Sequence, residues 1–318
     1  VWRLEMKVLI SLGKSFYEIF PDLGTWLKQA ELEVVEQVSS DQEPSKEVIK
    51  KLVSDVDIYI VGVDKIDHEV IDAAPKLKLI IKHGVGYDNI DLDYAKKKGI
   101  AVTFARGCNA QSVAELAVAL MLSVSRGIPA KNEEIKHGGW SLFMGSELNG
   151  KQLGLVGYGN IGSRVAKIAQ AFGMEVTAYD PYIESEVLEK AGIKKGSLEE
   201  VLSQSDFISL HAPATKENEN LIRAETLQLM KSSAYLINTA RGALVNEQDL
   251  KNAILEKRIA GAAMDVFCTE PPEKELVCLE KIVCTPHLGA CTVDSARRLS
   301  DISYENVMNY VNNRPLKN

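Results

Sequence analysis

The chain has 318 residues, 46% of them hydrophobic, and a formal charge of −7, which is room for two domains with separate cores. The acidic balance argues against a nucleic-acid partner, which normally requires a basic face, and no apolar run approaches the length that spans a membrane. Five cysteines without a CxxC pair suggest neither a disulfide framework nor a metal site, so no metal is expected and a reducing cytoplasm fits best.

Residues 1–5 lack the apolar segment of a signal peptide, and Met6-Lys7-Val8-Leu9-Ile10 reads as a natural start. Strand-like runs at 7–10, 34–36, 56–61, 77–82 and 100–103 alternate with helical stretches, the pattern of an α/β unit with a parallel sheet. Gly13-Lys14-Ser15 resembles the end of a phosphate loop, but the motif needs glycine five positions before Gly13, where Val8 stands within a strand. Lys82-His83-Gly84-Val85-Gly86 forms a glycine-rich turn after a strand. Backbone N–H groups at Val85 and Gly86, together with Lys82, make it a candidate site for a substrate anion. Lys96-Lys97-Lys98-Gly99 reads as a solvated helix end, with cations at the negative pole and glycine as cap. A helical pattern at 111–125 follows, and His68 and His137 read as surface or structural residues.

At mid-chain the apolar run 153–156 leads into Gly157-Tyr158-Gly159-Asn160-Ile161-Gly162. A strand turning sharply into a helix, with space left for a pyrophosphate, is what three glycines at this spacing permit. The predicted helix 163–172 then aims its positive end at the phosphates. A second strand, 175–179, ends in Asp180 about 20 residues on, where a carboxylate accepts the ribose hydroxyls. A carboxylate there repels a 2′-phosphate and no arginine follows it, so the expected cofactor is NAD rather than NADP.

Further strand-like runs close on residues suited to a site. The run 206–210 leads to His211-Ala212-Pro213, 234–238 to Thr239-Ala240-Arg241, 259–264 to Asp265, and 281–285 to Pro286-His287. In an open parallel sheet, ligands bind beyond the carboxyl ends of the strands, so these residues are expected along one edge. Arg241 offers a planar fork for a carboxylate. His287 is the natural acid/base for moving a proton on or off a carbonyl oxygen. A carboxylate beside it, for which Glu270 is the candidate, favours the imidazolium form. Asp265 is assigned to a nicotinamide carboxamide or to support of the site. The pattern at 292–312 is helical and is expected to fold back onto the first unit.

These residues together resemble the D-isomer-specific 2-hydroxyacid dehydrogenases, from about Met6 to the terminal helix. The shared features are the loop 84–89, the fingerprint with Asp180, and the trio Arg241, Glu270 and His287. The resemblance implies a Rossmann NAD-binding domain (106–292) inserted into a discontinuous, flavodoxin-like substrate domain (6–105 plus 293–318), both doubly wound parallel sheets. It also implies a homodimer built largely from the region after Asn109, and cofactor contacts that include Asn160, Ile161, Thr239, Ala240, Gly289 and Ala290. Residues 143–151 and 287–290 are most similar to members that oxidise 3-phospho-D-glycerate to 3-phosphohydroxypyruvate, a step toward L-serine. Lys82 stands where such members often carry arginine, with Arg106 as a second candidate cation. The appended regulatory domain of longer relatives is expected to be absent, and with it feedback by serine. The alternatives are a reductase of hydroxypyruvate or glyoxylate, and a non-catalytic NAD-sensing binding protein of the corepressor type.

Overall fold

The computed structural model describes residues 6–39 and 44–317; the expectation about residues 1–5 lies outside them. The chain divides into two compact units, one running to Asn109 and resuming at Ala290, the other Ala110–Gly289. The breaks fall a few residues inside the expected ones, at 105/106 and 292/293, for local reasons. Ala105 N–H donates to Gly84 O at 2.9 Å and Arg298 Nε to Cys108 O at 2.7 Å, which ties the turn before Asn109 to the first unit.

The first unit is a five-stranded parallel sheet of β1 (Lys7–Gly13), β2 (Glu33–Ser39), β3 (Ile58–Val61), β4 (Leu79–Lys82) and β5 (Ala101–Phe104), ordered β2-β1-β3-β4-β5. This is the flavodoxin-like order. Its central strands are buried on both faces, so they read as continuous apolar runs. Alternation then splits them between two cores: Leu9, Tyr59, Val61 and Ile80 on one face, and Val8, Ile10, Ile58, Ile60, Leu79 and Ile81 on the other. The helix Val293–Val311 closes the second core with Val307, and Tyr304 lies edge-on to Trp26 at 5.8 Å. Thr292 caps it by accepting from Ser295 N at 3.1 Å.

The second unit holds β6 (Gln152–Val156), β7 (Glu175–Tyr179), β8 (Lys194–Lys195), β9 (Phe207–Leu210), β10 (Tyr235–Asn238), β11 (Gly261–Met264) and β12 (Ile282–Cys284). Their order, β12-β11-β10-β9-β6-β7-β8, is the Rossmann order with one strand added beyond the sixth, and all recorded pairs are parallel. The order reverses between β6 and β9, which opens a crevice beyond the strand ends there. Each anticipated strand forms, with ends displaced by a few residues. The two-lysine β8 carries no apolar run and has no sequence signal. Helix Ala110–Arg126 covers one face through Ala114, Ala117, Leu120, Met121 and Val124.

His83 sits between β4 and the glycine-rich turn and is only 7% exposed. Its Nδ1 pairs with Ser303 Oγ at 2.9 Å, Phe16 packs against the ring at 4.4 Å, and burial pulls its pKa down to about 3. The unfolded chain therefore takes up a proton that the folded chain refuses, below the ordinary histidine value of about 6.5. Stability from this group is expected to fall by about 2 kcal/mol between pH 7 and pH 5. Denaturant unfolding at the two pH values, with His83→Gln showing a shallower loss, is the check.

Candidate active site

The glycine turn follows from steric necessity. Gly157 has φ +98°, and a Cβ there would lie 2.7 Å from the His211 carbonyl carbon, so only glycine joins β6 to the next helix. Around Gly159, by contrast, a Cβ would meet nothing within 4 Å, which leaves space over the turn. Helix Gly162–Ala171 has no acidic residue in its first turn, so nothing there opposes an anion at its positive end. Asn160 and Ile161 lie in the turn itself. At the end of β7, Asp180 Oδ2 accepts from Tyr158 N and Oδ1 from Tyr182 N, both at 2.9 Å. The carboxylate is thus locked onto the fingerprint turn, and each oxygen keeps acceptor capacity for a hydroxyl.

After β9, the His211 imidazole turns to Ser209, Nε2 to Oγ 2.9 Å. Its Nδ1 is buried without a partner among the described residues, and burial lowers its pKa to about 3. It is a neutral ring packed behind the glycine turn, with Ala212 and Pro213 following it. At the end of β10 the fully buried Asn238 shapes the next loop: Oδ1 accepts from Ala240 N at 3.0 Å and Nδ2 donates to Arg241 O at 2.9 Å. Thr239 Oγ1 is buried with no partner among the described residues, a polar atom suited to a ligand. Arg241 Nη1 donates to Ala240 O at 2.7 Å, which sets the plane of its guanidinium.

Arg241 and the Glu270 loop are pressed together at Gly242. A Cβ there would sit 2.0 Å from the Phe267 carbonyl carbon, so the two backbones touch and no side chain fits. Glu270 Oε1 accepts from Phe267 N at 3.1 Å, and Oε2 lies 2.9 Å from His287 Nδ1. With Nδ1 facing a carboxylate, any proton exchange by this ring would run through Nε2. The pair is solvent-accessible, at 55% for His287 and 41% for Glu270.

Asp265, at the end of β11 and 1% exposed, builds the turn that carries His287. Oδ1 accepts from Thr285 Oγ1 at 2.6 Å and Leu288 N at 2.7 Å, Oδ2 from Gly289 N at 2.9 Å, and its backbone carbonyl from His287 N at 2.9 Å. Burial pushes its carboxyl above the usual aspartate range against the pull of these donors. His287 itself stands at φ +55°, a left-handed conformation that a side-chain-bearing residue rarely holds unless its surroundings impose it.

The second unit therefore gathers, at one sheet edge, the fingerprint glycines, Asp180, His211, residues 239–241, Asp265, Glu270, His287 and Gly289. Lys82, Val85, Gly86 and Ala290 belong to the first unit. Within it, Lys82 Nζ donates to Gly62 O and to Asn89 Oδ1, the latter at 2.9 Å, so the lysine also anchors its own loop. Sequence reading missed Asn238, Thr285 and Gly242; a polar residue closing an apolar strand was the available signal for the first two.

The family profile described as "D-isomer specific 2-hydroxyacid dehydrogenase, NAD binding domain" matches residues 118–289. The chain belongs to the D-isomer-specific 2-hydroxyacid dehydrogenases, and this segment forms its NAD-binding domain. It is 41% identical to the D-3-phosphoglycerate dehydrogenase of Methanocaldococcus jannaschii over 87% of this chain and 54% of that one. It is 39% identical to the hydroxypyruvate reductase of Thermotoga maritima over 86% of this chain and 89% of that one. Among solved structures it resembles the D-lactate dehydrogenase of Aquifex aeolicus complexed with NAD and lactic acid, with a TM-score of 0.84 and 33% identity over 96% of each chain. The chain spans about half the length of the first relative and most of the second.

Gly242→Ala is expected to force the Arg241 and Glu270 loops apart. Overpacking of this kind destabilises by about 1–3 kcal/mol, so a lowered Tm and a loss of turnover should appear together in thermal melts and steady-state assays.

Proposed function

We propose that this protein interconverts D-2-hydroxy acids and 2-oxo acids with NAD. The observation that carries the reading is the 2.9 Å contact between His287 Nδ1 and Glu270 Oε2, on the same sheet edge as Arg241 and the fingerprint turn. The second unit serves as cofactor domain, with Asp180, Thr239 and the residues flanking them as its contacts, and the first unit as substrate domain through Lys82, Val85 and Gly86. Bound NAD supplies a two-electron hydride acceptor. Arg241 holds the substrate carboxylate through its guanidinium fork, which aligns C2 and its hydroxyl. His287 Nε2 would take the hydroxyl proton in oxidation and return it to the carbonyl oxygen in reduction. Glu270 keeps the ring oriented and stabilises the imidazolium formed. Asp180 disfavours a 2′-phosphate, so NAD is preferred over NADP.

For the substrate, we favour 3-phospho-D-glycerate, oxidised to 3-phosphohydroxypyruvate. The support is the similarity to the phosphoglycerate relative and the cation Lys82 in the substrate turn. The engagement of Lys82 by Gly62 O and Asn89 favours a second reading, a reductase of hydroxypyruvate or glyoxylate, because it leaves less of the ammonium for a phosphate. Comparing kcat/KM for 3-phosphoglycerate with that for D-glycerate, and for the two oxo acids, decides between them. A homodimer fits the apolar side chains left uncovered around residues 128–144: Ile128, Ile135, Trp140, Leu142, Phe143 and Met144, with Trp140 at 86% and Met144 at 92% exposure. No single helix among the described residues is long and apolar enough to cross a membrane.

Replacing His287 with Ala is expected to lower kcat by about 10²-fold or more while NAD affinity stays near that of the parent; near-normal turnover would remove it from the mechanism. Sedimentation velocity should give a dimer, and Trp140→Glu with Met144→Glu a monomer.

A further inference from the structure

We infer that Glu247 is a positioning residue for the acid–base pair, acting through the backbone that carries Glu270. The inference rests on the reading of Glu270 and His287 given above. Glu247 is the first residue of helix Glu247–Leu255, whose start is fixed by the Asn246 side chain accepting from Asp249 N at 3.0 Å and by Asn246 N–H donating to Ile222 O at 2.8 Å. From this fixed base, Glu247 Oε1 accepts the Cys268 N–H at 2.6 Å. The bond is short and its acceptor oxygen reaches the Cys268 backbone across the loop, so it fixes where that backbone lies.

The contact continues to the reacting groups. Cys268 follows Phe267, whose N–H holds Glu270 Oε1 at 3.1 Å, and Glu270 Oε2 meets His287 Nδ1 at 2.9 Å. The same two residues, Phe267 and Cys268, are those against which Gly242 is packed without room for a Cβ. The Glu270 loop is therefore clamped from two directions, by the turn after Arg241 on one side and by the Glu247 carboxylate on the other. Cys268 itself is not the reactive group: burial and the adjacent Glu247 raise its thiol to about 11. Its role here is to present a backbone N–H.

Because a misplacement of about 1 Å in a supporting group can reduce a rate about 100-fold, the effect should appear in kcat rather than in cofactor binding. In the full-length protein, Glu247→Ala is expected to lower kcat about tenfold or more with NAD affinity unchanged. Glu247→Gln, which keeps an acceptor oxygen at the same reach, should recover most of the loss. Glu247→Asp keeps the charge but falls one methylene short of Cys268 N, so it should remain impaired. In a Glu270→Ala background, Glu247→Ala should add little further loss, because the two act in series.

Should Glu247→Ala fail to fold, the Gln and Asp variants decide. A charge effect would spare Asp and impair Gln, and that order overturns the proposal, as does full multiplicative loss in the double variant. If Glu270→Ala alone leaves turnover intact, the acid–base reading fails first. If Glu270→Ala is impaired and the Glu247 variants are not, only the positioning role fails.

Discussion

The site depends on one buried carboxylate. Asp265 is almost wholly removed from water, and it is kept there by Thr285, by the N–H groups of Leu288 and Gly289, and by the use of its own carbonyl for His287 N–H. Burying a charge is expensive unless it is fully hydrogen-bonded. Any rearrangement of residues 285–289 would strip donors from Asp265, so these bonds favour the turn's present conformation. That conformation includes His287 at φ +55°. The strain at His287 is thus held in place by the desolvation cost of its neighbour, which is how a solvent-facing imidazole keeps a fixed aim.

Around this turn, the parallel sheet does the assembling. Strands β6, β7, β9, β10, β11 and β12 all run the same way, so each delivers its C-terminal residue to one edge. The first residues beyond each strand are held by short local bonds rather than by the sheet: Asn238 for 239–241, Ser209 for His211, the fingerprint amides for Asp180. Close backbone contact at Gly242 then couples the Arg241 loop to the Glu270 loop. Arg241 and the Glu270–His287 pair are for that reason one mechanical unit.

Much of this was legible in the sequence because the signals are local. Apolar runs gave the strands, and their fully buried positions in a parallel sheet made those runs long and continuous. The glycine spacing gave the turn, since φ +98° at Gly157 admits no other residue. Polar residues closing apolar runs gave Asp180, Arg241, Asp265 and His287. Strand β8 was not legible, being two lysines paired only through their backbone. Neither were Gly242 and Glu247, because their importance lies in what approaches them from more than 20 positions away.

The sequence by itself determined the two α/β units, the cofactor turn and the identities of the chemical groups, because periodicity, glycine spacing and side-chain type are properties of neighbouring residues. Tertiary structure alone decided what those groups do. It made Asp265 the keystone of a turn rather than a free carboxylate, made His211 a neutral, half-buried ring, drew Lys82 into its own loop, and set Glu270 against His287. Each of these is a matter of which atoms lie within about 3 Å across long stretches of chain, and only packing fixes that.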